Sequence, residues 1–425
     1  MRFQTLDQWL DWQTDLHPRE IELGLERVEQ AWQRLHRSEL ICPVITVAGT
    51  NGKGSCVALL DAILQAAGYR TASYTSPHLI RYNERIRLSG DAVEDFRLCQ
   101  AFQRVDQARL DIPLTYFEFG TLAALEIFAE AAPDVVILEV GLGGRLDAVN
   151  IVDPDVALIA SIGIDHTAWL GNTLEQIARE KAGIMRSGVP AVYGAPNPPA
   201  SLIEYAAEHG VPLDLAGRDF GFQHRAGGWN WWGGGERRQA LPMPALRGEY
   251  QLQNAAAVLM VLAHLRERLP VDQQAVRSGL QSVSLRGRFQ ILPGEPLIIL
   301  DVAHNAEAAR VLADNLQQMF CHGRTLALFG MLADKDVEAV VAVMAPLVDH
   351  WFLTGLGEGA RGQDVDQLAA RMIRSGVPAS SISCLQSAEQ ALVAARQQAG
   401  AEDRLLVFGS FYLVGQVLAS SALYP

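Results

Sequence analysis

One glycine-rich stretch constrains this chain more than any other segment, because it joins a buried strand to a helix. Residues 44–48 are an apolar run that predicts the strand, and apolar residues at helical spacing predict the helix, which ends near Gly68. Between them lies the loop Gly49-Thr50-Asn51-Gly52-Lys53-Gly54-Ser55. Backbone N–H groups at a helix start bind anions, and glycines let the backbone approach them closely. The stretch therefore predicts a phosphate-binding loop, with Lys53 directed at the terminal phosphates and the Ser55 hydroxyl at a magnesium ion.

This loop differs from the usual phosphate loop of nucleotide hydrolases, in which Ser or Thr directly follows the lysine. Here Gly54 separates Lys53 from Ser55, and the loop is shorter. The alternative interpretation is a glycine-rich turn with a surface lysine. Since the flanking strand and helix fit a phosphate site, we expect bound nucleotide phosphates.

Composition narrows the function classes. A chain of 425 residues with 49% hydrophobic and 20% charged residues predicts a globular protein of two domains. Its net charge of −13 disfavours nucleic acid and anionic membranes as partners. Five cysteines without a CxxC pair indicate reduced thiols in a cytoplasmic protein and no zinc site. We also expect neither a secretory signal nor a transmembrane helix.

Candidate metal ligands follow three further predicted strands. Ser76 follows the strand at residues 70–74, Glu139 ends an apolar strand, and His166 follows another at residues 156–160. Because the carboxyl ends of parallel strands share one edge of a sheet, these side chains should gather beside the phosphate loop. Imidazole is an unusual magnesium ligand, and the alternative for His166 is a helix cap or a core residue.

Other segments carry weaker signals. Residues 5–40 predict helices with one interruption at His17-Pro18. Within them, a glycine lies between leucines at residues 22–28, which indicates either close approach or helix packing. The aromatic residues within 116–119 are typical either of a site that binds a flat ring of a ligand or of core packing. Lys181 near a helix end is typical of a dipole partner or a surface salt bridge. Residues 196–247, rich in glycine, proline and tryptophan, predict short antiparallel strands.

A second α/β domain is predicted from residue 288 onward. Strand–helix alternation starts afresh there, and Asp301 and His304 lie just beyond a strand end. We predict domains at residues 1–287 and 288–425, with the active site in the cleft between them.

Several motifs in one order resemble the folylpolyglutamate synthase and dihydrofolate synthase family of ATP-dependent ligases, relatives of the Mur ligases. Besides the glycine loop, they are Ser76-Pro77-His78-Leu79, residues 138–147, Asp165-His166, Glu180-Lys181-Ala182-Gly183, Gly287-Arg288-Phe289-Gln290 and residues 301–305. The resemblance implies an α/β fold in which a P-loop-type, mostly parallel sheet forms an ATP- and pterin-binding Mur ligase-like domain. A smaller Rossmann-like glutamate ligase domain would follow it.

The resemblance also implies site residues. Ser76, Glu139 and His166 would hold one magnesium ion. Lys181 would carry CO2 as a carbamate, and this anion would bind a second magnesium ion. Lys53, Lys181 and His304 would be catalytic, His304 by positioning the incoming glutamate. The ATP ligands would be Thr50, Asn51, Gly52, Lys53, Gly54, Ser55, Asn254, Arg288 and Asp301. The pterin ligands would be Glu22, Leu23, Gly24, Leu25, Thr115, Tyr116, Phe117, Glu118, Leu146, Asp147 and Ala148, although many members of the family carry Asp where this chain has Glu22.

The implied activity is ATP-dependent addition of L-glutamate to 7,8-dihydropteroate and to reduced folates through an acyl phosphate. The protein would be a cytoplasmic monomer, and its partners would be these small molecules. Within the ligases, the alternatives are folylpolyglutamate synthase activity alone or a Mur-type ligase. Outside them, the alternative is a switch or motor ATPase, which would hydrolyse ATP without glutamate.

Overall fold

The computed structural model of the protein describes residues 2–19, 21–35, 40–356 and 362–423, and the chain divides into two compact units. The first unit contains the chain up to His78, Tyr82–Ala245 and Gln251–Val283. The second contains Leu79–Arg81, Leu246–Tyr250 and the chain from Ser284 onward. The predicted α/β class is confirmed. The longest continuous part of the second unit starts at Ser284, and two short earlier segments also belong to this unit.

An eight-stranded sheet organises the first unit, in the order β4-β3-β2-β5-β1-β6-β7-β8. From β2 to β8 neighbouring strands run parallel, while β3 and β4 are antiparallel additions at one edge. The strands β1 and β5 are buried along their whole length, as expected for a parallel sheet covered on both faces. The bounds are β1 Val44–Ala48, β2 Thr71–Tyr74, β3 Ile86–Leu88, β4 Asp91–Ala92, β5 Val135–Glu139, β6 Val156–Ile159, β7 Ala191–Tyr193 and β8 Leu213–Leu215.

Helices surround this sheet, and several begin at side-chain caps. The Thr115 hydroxyl accepts from the Glu118 N–H, and the Glu118 carboxylate accepts from the Thr115 N–H, which forms a capping box before α5. The bounds are α1 Leu6–Thr14, α2 Glu26–Arg34, α3 Lys53–Ala66, α4 Asp95–Arg109, α5 Tyr116–Ala131, α6 Thr167–Leu170, α7 Leu174–Ala182, α8 Ala200–Glu208, α9 Glu249–His264 and α10 Gln273–Ser282. Short 3-10 turns lie at Tyr82–Arg85 and Ala148–Ile151.

A three-stranded antiparallel sheet, β11-β10-β9, fills part of the glycine- and tryptophan-rich segment, as predicted. Its strands are β9 Phe220–Arg225, β10 Gly228–Gly233 and β11 Glu236–Leu241. The prediction was wrong for the beginning of this segment, because α8 is helical and β8 joins the large parallel sheet. Glycines and prolines flank both α8 and β8, so the composition of the whole segment did not indicate a helix or a parallel strand.

The helical prediction near the N-terminus also needs a correction. Residues 21–24 lie outside any helix, and α2 begins only at Glu26. The segment around Gly24 is therefore a loop, and residues 20 and 36–39 of the predicted helical region lie outside the described residues.

The second unit is built on a six-stranded sheet in the order β12-β13-β17-β14-β15-β16. Only the β12–β13 pair is antiparallel. The strands are β12 Gln290–Leu292, β13 Leu297–Asp301, β14 Thr325–Phe329, β15 His350–Thr354, β16 Ile382–Leu385 and β17 Arg404–Phe408. The helices are α11 Ala306–Gln318, α12 Val337–Met344, α13 Val365–Arg374, α14 Ala388–Gln398 and α15 Phe411–Ala419, with 3-10 turns at Ala345–Leu347, Ala379–Ser381 and Ser421–Leu423.

Within the described ranges, no helix has both the length and the apolar character that a bilayer span requires.

Candidate functional site

The predicted phosphate loop connects β1 to α3, as the sequence pattern indicates. Gly52 precedes the first turn of α3 with φ of 86°, a backbone conformation that favours glycine. A Cβ at Gly49 would lie 3.2 Å from the backbone nitrogen of Ser161, so the loop also has little room at this position. The N–H groups at the start of a helix favour bound anions, and this loop places the start of α3 at the edge of the sheet.

A neighbouring loop, which follows β6, holds the phosphate loop in shape. The Asn51 N–H donates to Ser161 Oγ at 3.0 Å, and Ser161 Oγ donates to the Asn51 carbonyl at 3.1 Å. The Thr50 hydroxyl donates to the Gly163 carbonyl at 3.0 Å and accepts from the Gly163 N–H at 2.9 Å. Neither Ser161 nor Gly163 was identified from the sequence, because only the pairing of β1 with β6 brings these distant residues together.

Lys53 adds the positive charge of the loop. Its Nζ donates to the Gly49 carbonyl at 2.9 Å and lies 3.4 Å from the Thr50 carbonyl. This ammonium group also acts on two buried neighbours. It adds to the burial that lowers the pKa of Lys181, and it opposes the burial that raises the pKa of Asp147.

The predicted metal ligands follow adjacent parallel strands. In the order β2-β5-β1-β6, Ser76 follows β2, Glu139 ends β5, the phosphate loop follows β1 and His166 follows β6. The Ser76 N–H donates to Glu139 Oε2 at 3.1 Å, and the Glu139 side chain is buried. The topology thus places these groups at one sheet edge, as predicted from the strand ends.

His166 directly precedes α6 in a left-handed conformation, with φ of 51°, and its N–H bonds Asp165 Oδ1 at 2.8 Å. Its side chain makes no capping hydrogen bond to this helix. Over the described parts of the chain, no three His, Cys, Asp or Glu side chains form a ready metal-binding group. The predicted set contains only two such side chains, since its third member is the hydroxyl of Ser76.

Lys181 lies in the last turn of α7 but is buried, so its interpretation as a surface salt bridge was wrong. Only 3% of the residue is exposed. Burial and then the charge of Lys53 lower the pKa of Lys181 to about 7, while Asp165 and Asp147 act in the opposite direction. Near neutral pH, a large fraction of this amine is therefore uncharged and nucleophilic.

Asp147 is a second buried ionisable group in this region. Its carboxylate accepts hydrogen bonds from the N–H groups of Leu142 at 2.8 Å and Val149 at 3.0 Å. Burial raises the pKa of Asp147 to about 6, against the effect of these hydrogen bonds and of Lys53. A perturbed carboxyl and a perturbed amine close to a phosphate loop are typical of a functional site.

The structure brings the three predicted pterin segments together. The Gly24 N–H donates to the Leu146 carbonyl at 3.3 Å, which joins the first segment to the third. Arg27 joins the first to the second, because its guanidinium bonds Glu22 Oε1 at 2.8 Å and Glu118 Oε1 at 2.9 Å. Arg27 was missed from the sequence, although it lies only two residues beyond Leu25.

Phe117 lies against the loop that follows β5. A Cβ at Gly141 would approach Phe117 Cζ to 2.6 Å, so the ring covers the glycine backbone. The ring centroid of Phe117 is 5.9 Å from that of Tyr74. Phe117 therefore packs beside the segments that contain Glu139 and Asp147, whereas Phe119 is fully buried in the core.

Asn254 is buried on α9 near the helix that follows the phosphate loop. Its Nδ2 donates to Gln251 Oε1 at 3.0 Å, and the Cys56 thiol donates to its Oδ1 at 3.7 Å. Because Cys56 belongs to α3, Asn254 lies beside the helix whose N-terminus carries the anion site.

In the second unit, the predicted residues surround the end of β13. Asp301 accepts from the N–H groups of Phe289 and Ala303, each at 2.8 Å. Burial raises the pKa of Asp301, while Arg288 and His304 act against this shift. The Arg288 guanidinium lies 5.0 Å above the Phe411 ring, whose centroid is 6.0 Å from that of His304. Arg288, Asp301 and His304 thus form one cluster, which also includes the unpredicted Phe411.

Comparison with known proteins agrees with this geometry. The family model of the Mur ligase middle domain matches residues 47–226, and the model of the Mur ligase glutamate ligase domain matches residues 287–411. The chain is 43% identical to the dihydrofolate synthase/folylpolyglutamate synthase of Escherichia coli over 97% of this chain and 94% of that protein.

Two solved structures resemble the whole chain. Escherichia coli FolC in complex with DHPP and ADP is 43% identical, with a TM-score of 0.91, and the match covers 98% of this chain and 97% of that one. A bifunctional folylpolyglutamate synthase/dihydrofolate synthase with Mn, AMPPNP and L-glutamate bound is 45% identical, with a TM-score of 0.91 and coverage of 99% and 98%.

Proposed function

Because the chain belongs to the dihydrofolate synthase/folylpolyglutamate synthase family, we propose that it is an ATP-dependent ligase that joins L-glutamate to 7,8-dihydropteroate and to reduced folates. The observation that carries this proposal is the arrangement at one sheet edge of the phosphate loop, Ser76, Glu139 and His166. The similarity to FolC and its relatives over nearly the whole chain supports the same conclusion.

The chemistry explains why such a protein binds a nucleotide. A carboxylate does not acylate an amine at neutral pH, because its charge repels the nucleophile and oxide is a poor leaving group. Transfer of the γ-phosphoryl group to the carboxylate oxygen gives an acyl phosphate and ADP. The glutamate amine then attacks the acyl carbon and an amide bond forms. The C–O bond to phosphate breaks, phosphate leaves with the electron pair, and the attacking nitrogen loses a proton. The protein aligns the two anions and offsets their charge.

In this proposal the loop from Thr50 to Ser55 binds the ATP phosphates. The helix N-terminus of α3 and the Lys53 ammonium together offset negative charge as the phosphoryl group moves. Because Ser161 and Gly163 already hold the loop in shape, little reorganisation is needed when the nucleotide binds.

The fit of a divalent cation rests on Glu139 and Ser76. A buried carboxylate at a strand end is costly unless a cation offsets its charge, and Glu139 lies directly beside the Ser76 backbone. Ser76, Glu139 and His166 would hold Mg²⁺, which supplies charge neutralisation and orientation for the phosphates when it is bound.

Lys181 is proposed to carry CO2 as a carbamate and to contribute to a second metal site. The neutral amine attacks the carbon of CO2, an N–C bond forms, and one proton is released. The product is an anion where an ammonium group would otherwise stand, and carboxylate oxygens suit Mg²⁺. Burial of Lys181 supports this assignment, since it favours the neutral amine that the reaction needs.

The remaining predicted residues receive substrate roles. The three segments joined by Gly24 and Arg27 would bind the pterin, with Asp147 as their buried polar group. Asn254, Arg288 and Asp301 would contact the nucleotide, and His304 would position the incoming glutamate. We further propose that the protein is a cytoplasmic monomer, in which five free cysteines suit a reducing compartment.

One measurement tests the proposed function. Phosphate release is followed with ATP, Mg²⁺ and 7,8-dihydropteroate, with and without L-glutamate. We expect release to depend on all the substrates and one dihydrofolate to form for each phosphate. Release that glutamate does not change would support the switch or motor ATPase instead. Turnover with reduced folates but not with dihydropteroate would restrict the protein to folylpolyglutamate synthase activity.

A further inference from the structure

Arg27 occupies the first turn of α2 and makes hydrogen bonds to two separate segments of the chain. Its Nη1 donates to Glu22 Oε1 at 2.8 Å, and its Nη2 donates to the Glu22 carbonyl at 2.9 Å. Nη2 also donates to Glu118 Oε1 at 2.9 Å, and Nε lies 3.4 Å from Glu118 Oε2. The planar guanidinium therefore bridges the loop before α2 and the start of α5.

Glu118 needs this partner because its side chain is only 4% exposed. One of its oxygens already accepts the Thr115 N–H at 2.8 Å in the capping box. The positive charge of Arg27 compensates the buried carboxylate and fixes its direction. Glu118 therefore depends on Arg27 both for charge and for orientation.

Glu22 is more exposed and has additional partners. Its Oε2 lies 3.3 Å from Arg19 Nη1 and 3.6 Å from His17 Nε2. Arg27 is the member of this group that also reaches α5, so the position of the 22–25 loop relative to α5 depends on it. The Gly24 N–H continues the connection to the Leu146 carbonyl.

We propose that Arg27 is a positioning residue for the pterin: it sets the distance between the 22–25 loop and the start of α5, and thereby the shape of the pterin site. This inference rests on the proposed function, which assigns the pterin to these segments. Arg27 itself need not touch the substrate. A displacement of about 1 Å in a binding segment is enough to change catalysis substantially, so loss of the bridge should weaken pterin binding.

The test compares R27Q with R104Q. Arg104 and Glu126 form an ion pair in which Nε lies 2.8 Å from Oε1, and the Glu126 side chain is also 4% exposed and also belongs to α5. Each substitution therefore leaves one buried glutamate of the same helix without its arginine, but only R27Q breaks the bridge to the 22–25 loop. KM values for dihydropteroate, ATP and L-glutamate are measured for both variants, together with Tm.

We expect R27Q to raise the KM for dihydropteroate about tenfold, with the KM for ATP within about twofold of the wild type. R104Q should lower Tm to a similar extent and leave the KM for dihydropteroate unchanged. Equal KM values for dihydropteroate in the two variants would overturn the proposal, because a merely structural role predicts that result.

R27K is the second test variant and replaces R27Q if R27Q does not fold. A lysine ammonium supplies the charge but cannot reproduce the planar fork that reaches both carboxylates. We expect a near-normal Tm with a raised KM for dihydropteroate, whereas a KM equal to that of the wild type would overturn the proposal. A wild-type protein without dihydropteroate-dependent turnover contradicts the proposed function itself. Normal wild-type turnover with an unchanged KM in the Arg27 variants contradicts only the role of Arg27.

Discussion

The backbone N–H of Ser76 donates to Oε2 of Glu139 at 3.1 Å, so the loop after β2 is bonded to the end of β5. These strands are neighbours in the parallel sheet, and β5 also pairs with the strand that leads into the phosphate loop. Glu139 therefore lies between two loops that the proposed reaction uses.

Replacement of Glu139 by Gln should remove metal-dependent turnover. The amide keeps the size of the side chain but loses the negative charge that the cation needs, so we expect kcat/KM to fall by roughly 100-fold or more. Mn²⁺ affinity, measured by electron paramagnetic resonance, should fall as well. E126Q, which changes another buried glutamate, is the control and should retain Mn²⁺ affinity; equal Mn²⁺ affinity in E139Q and the wild type would contradict the assignment.

Replacement of Lys53 by Ala should abolish turnover while the fold persists. Lys53 Nζ donates to the Gly49 carbonyl of its own loop, and Ser161 also holds this loop. We expect phosphate release to fall about 100-fold to 1000-fold, with Tm close to the wild-type value. Phosphate release at the wild-type rate would disprove the role of the loop.

The carbamate proposed for Lys181 should be detectable by NMR in ¹³C-bicarbonate buffer. The chain contains only three lysines, Lys53, Lys181 and Lys335, which simplifies the assignment. We expect one carbamate signal that disappears in K181A and persists in K335R. A signal that K181A retains would rule out this site.

The carbamate signal should depend on pH, because burial lowers the pKa of Lys181. The pKa of Lys181 is lowered from 10.5 to about 7, so the neutral amine predominates above about pH 7 and the protonated, unreactive form below it. The carbamate signal should therefore decrease as the pH falls below about 7. A midpoint near the ordinary lysine value would show that the amine is not desolvated as described.

Substitution of Arg288 by Ala should lower kcat/KM for ATP, because Arg288 lies beside Asp301 and above the Phe411 ring. We expect a loss of roughly tenfold to 100-fold. R286A removes an exposed arginine two positions away and should behave like the wild type. Similar effects of R288A and R286A would argue for a general charge effect instead.

Substitution of Gly141 by Ala should disturb the pterin site through Phe117. The new Cβ would meet the ring at 2.6 Å, so the ring must move, at a cost of about 1–3 kcal/mol in stability. We expect a higher KM for dihydropteroate and a lower Tm. G400A, whose Cβ would have its nearest neighbour at 3.8 Å, should leave both values unchanged, and the same result for G141A would contradict this packing.

Local patterns in the sequence predicted much of the first unit. The glycine loop, the apolar strand before it and the helix after it agree with β1 and α3, and the strand ends correctly placed Ser76, Glu139 and His166 at one edge. These successes share a cause, because a parallel strand followed by a helix leaves a local signature in hydrophobic spacing.

Contacts between distant segments were not predictable in the same way. Arg27 and Glu118 are 91 residues apart, and Ser161 meets Asn51 only because β6 lies beside β1. Lys181 was expected at the surface because helical position alone does not show which neighbours cover a side chain. The segment at residues 200–208 was missed as a helix, since surrounding prolines and glycines dominated its composition.

The paired hydrogen bonds between Ser161 and Asn51 have a thermodynamic consequence for the nucleotide. They hold the glycine loop in one conformation as part of the fold, so its loss of conformational freedom accompanies folding and not ligand capture. In Ser161→Ala this hydroxyl is lost, and the entropic cost of ordering the loop would then oppose ATP binding.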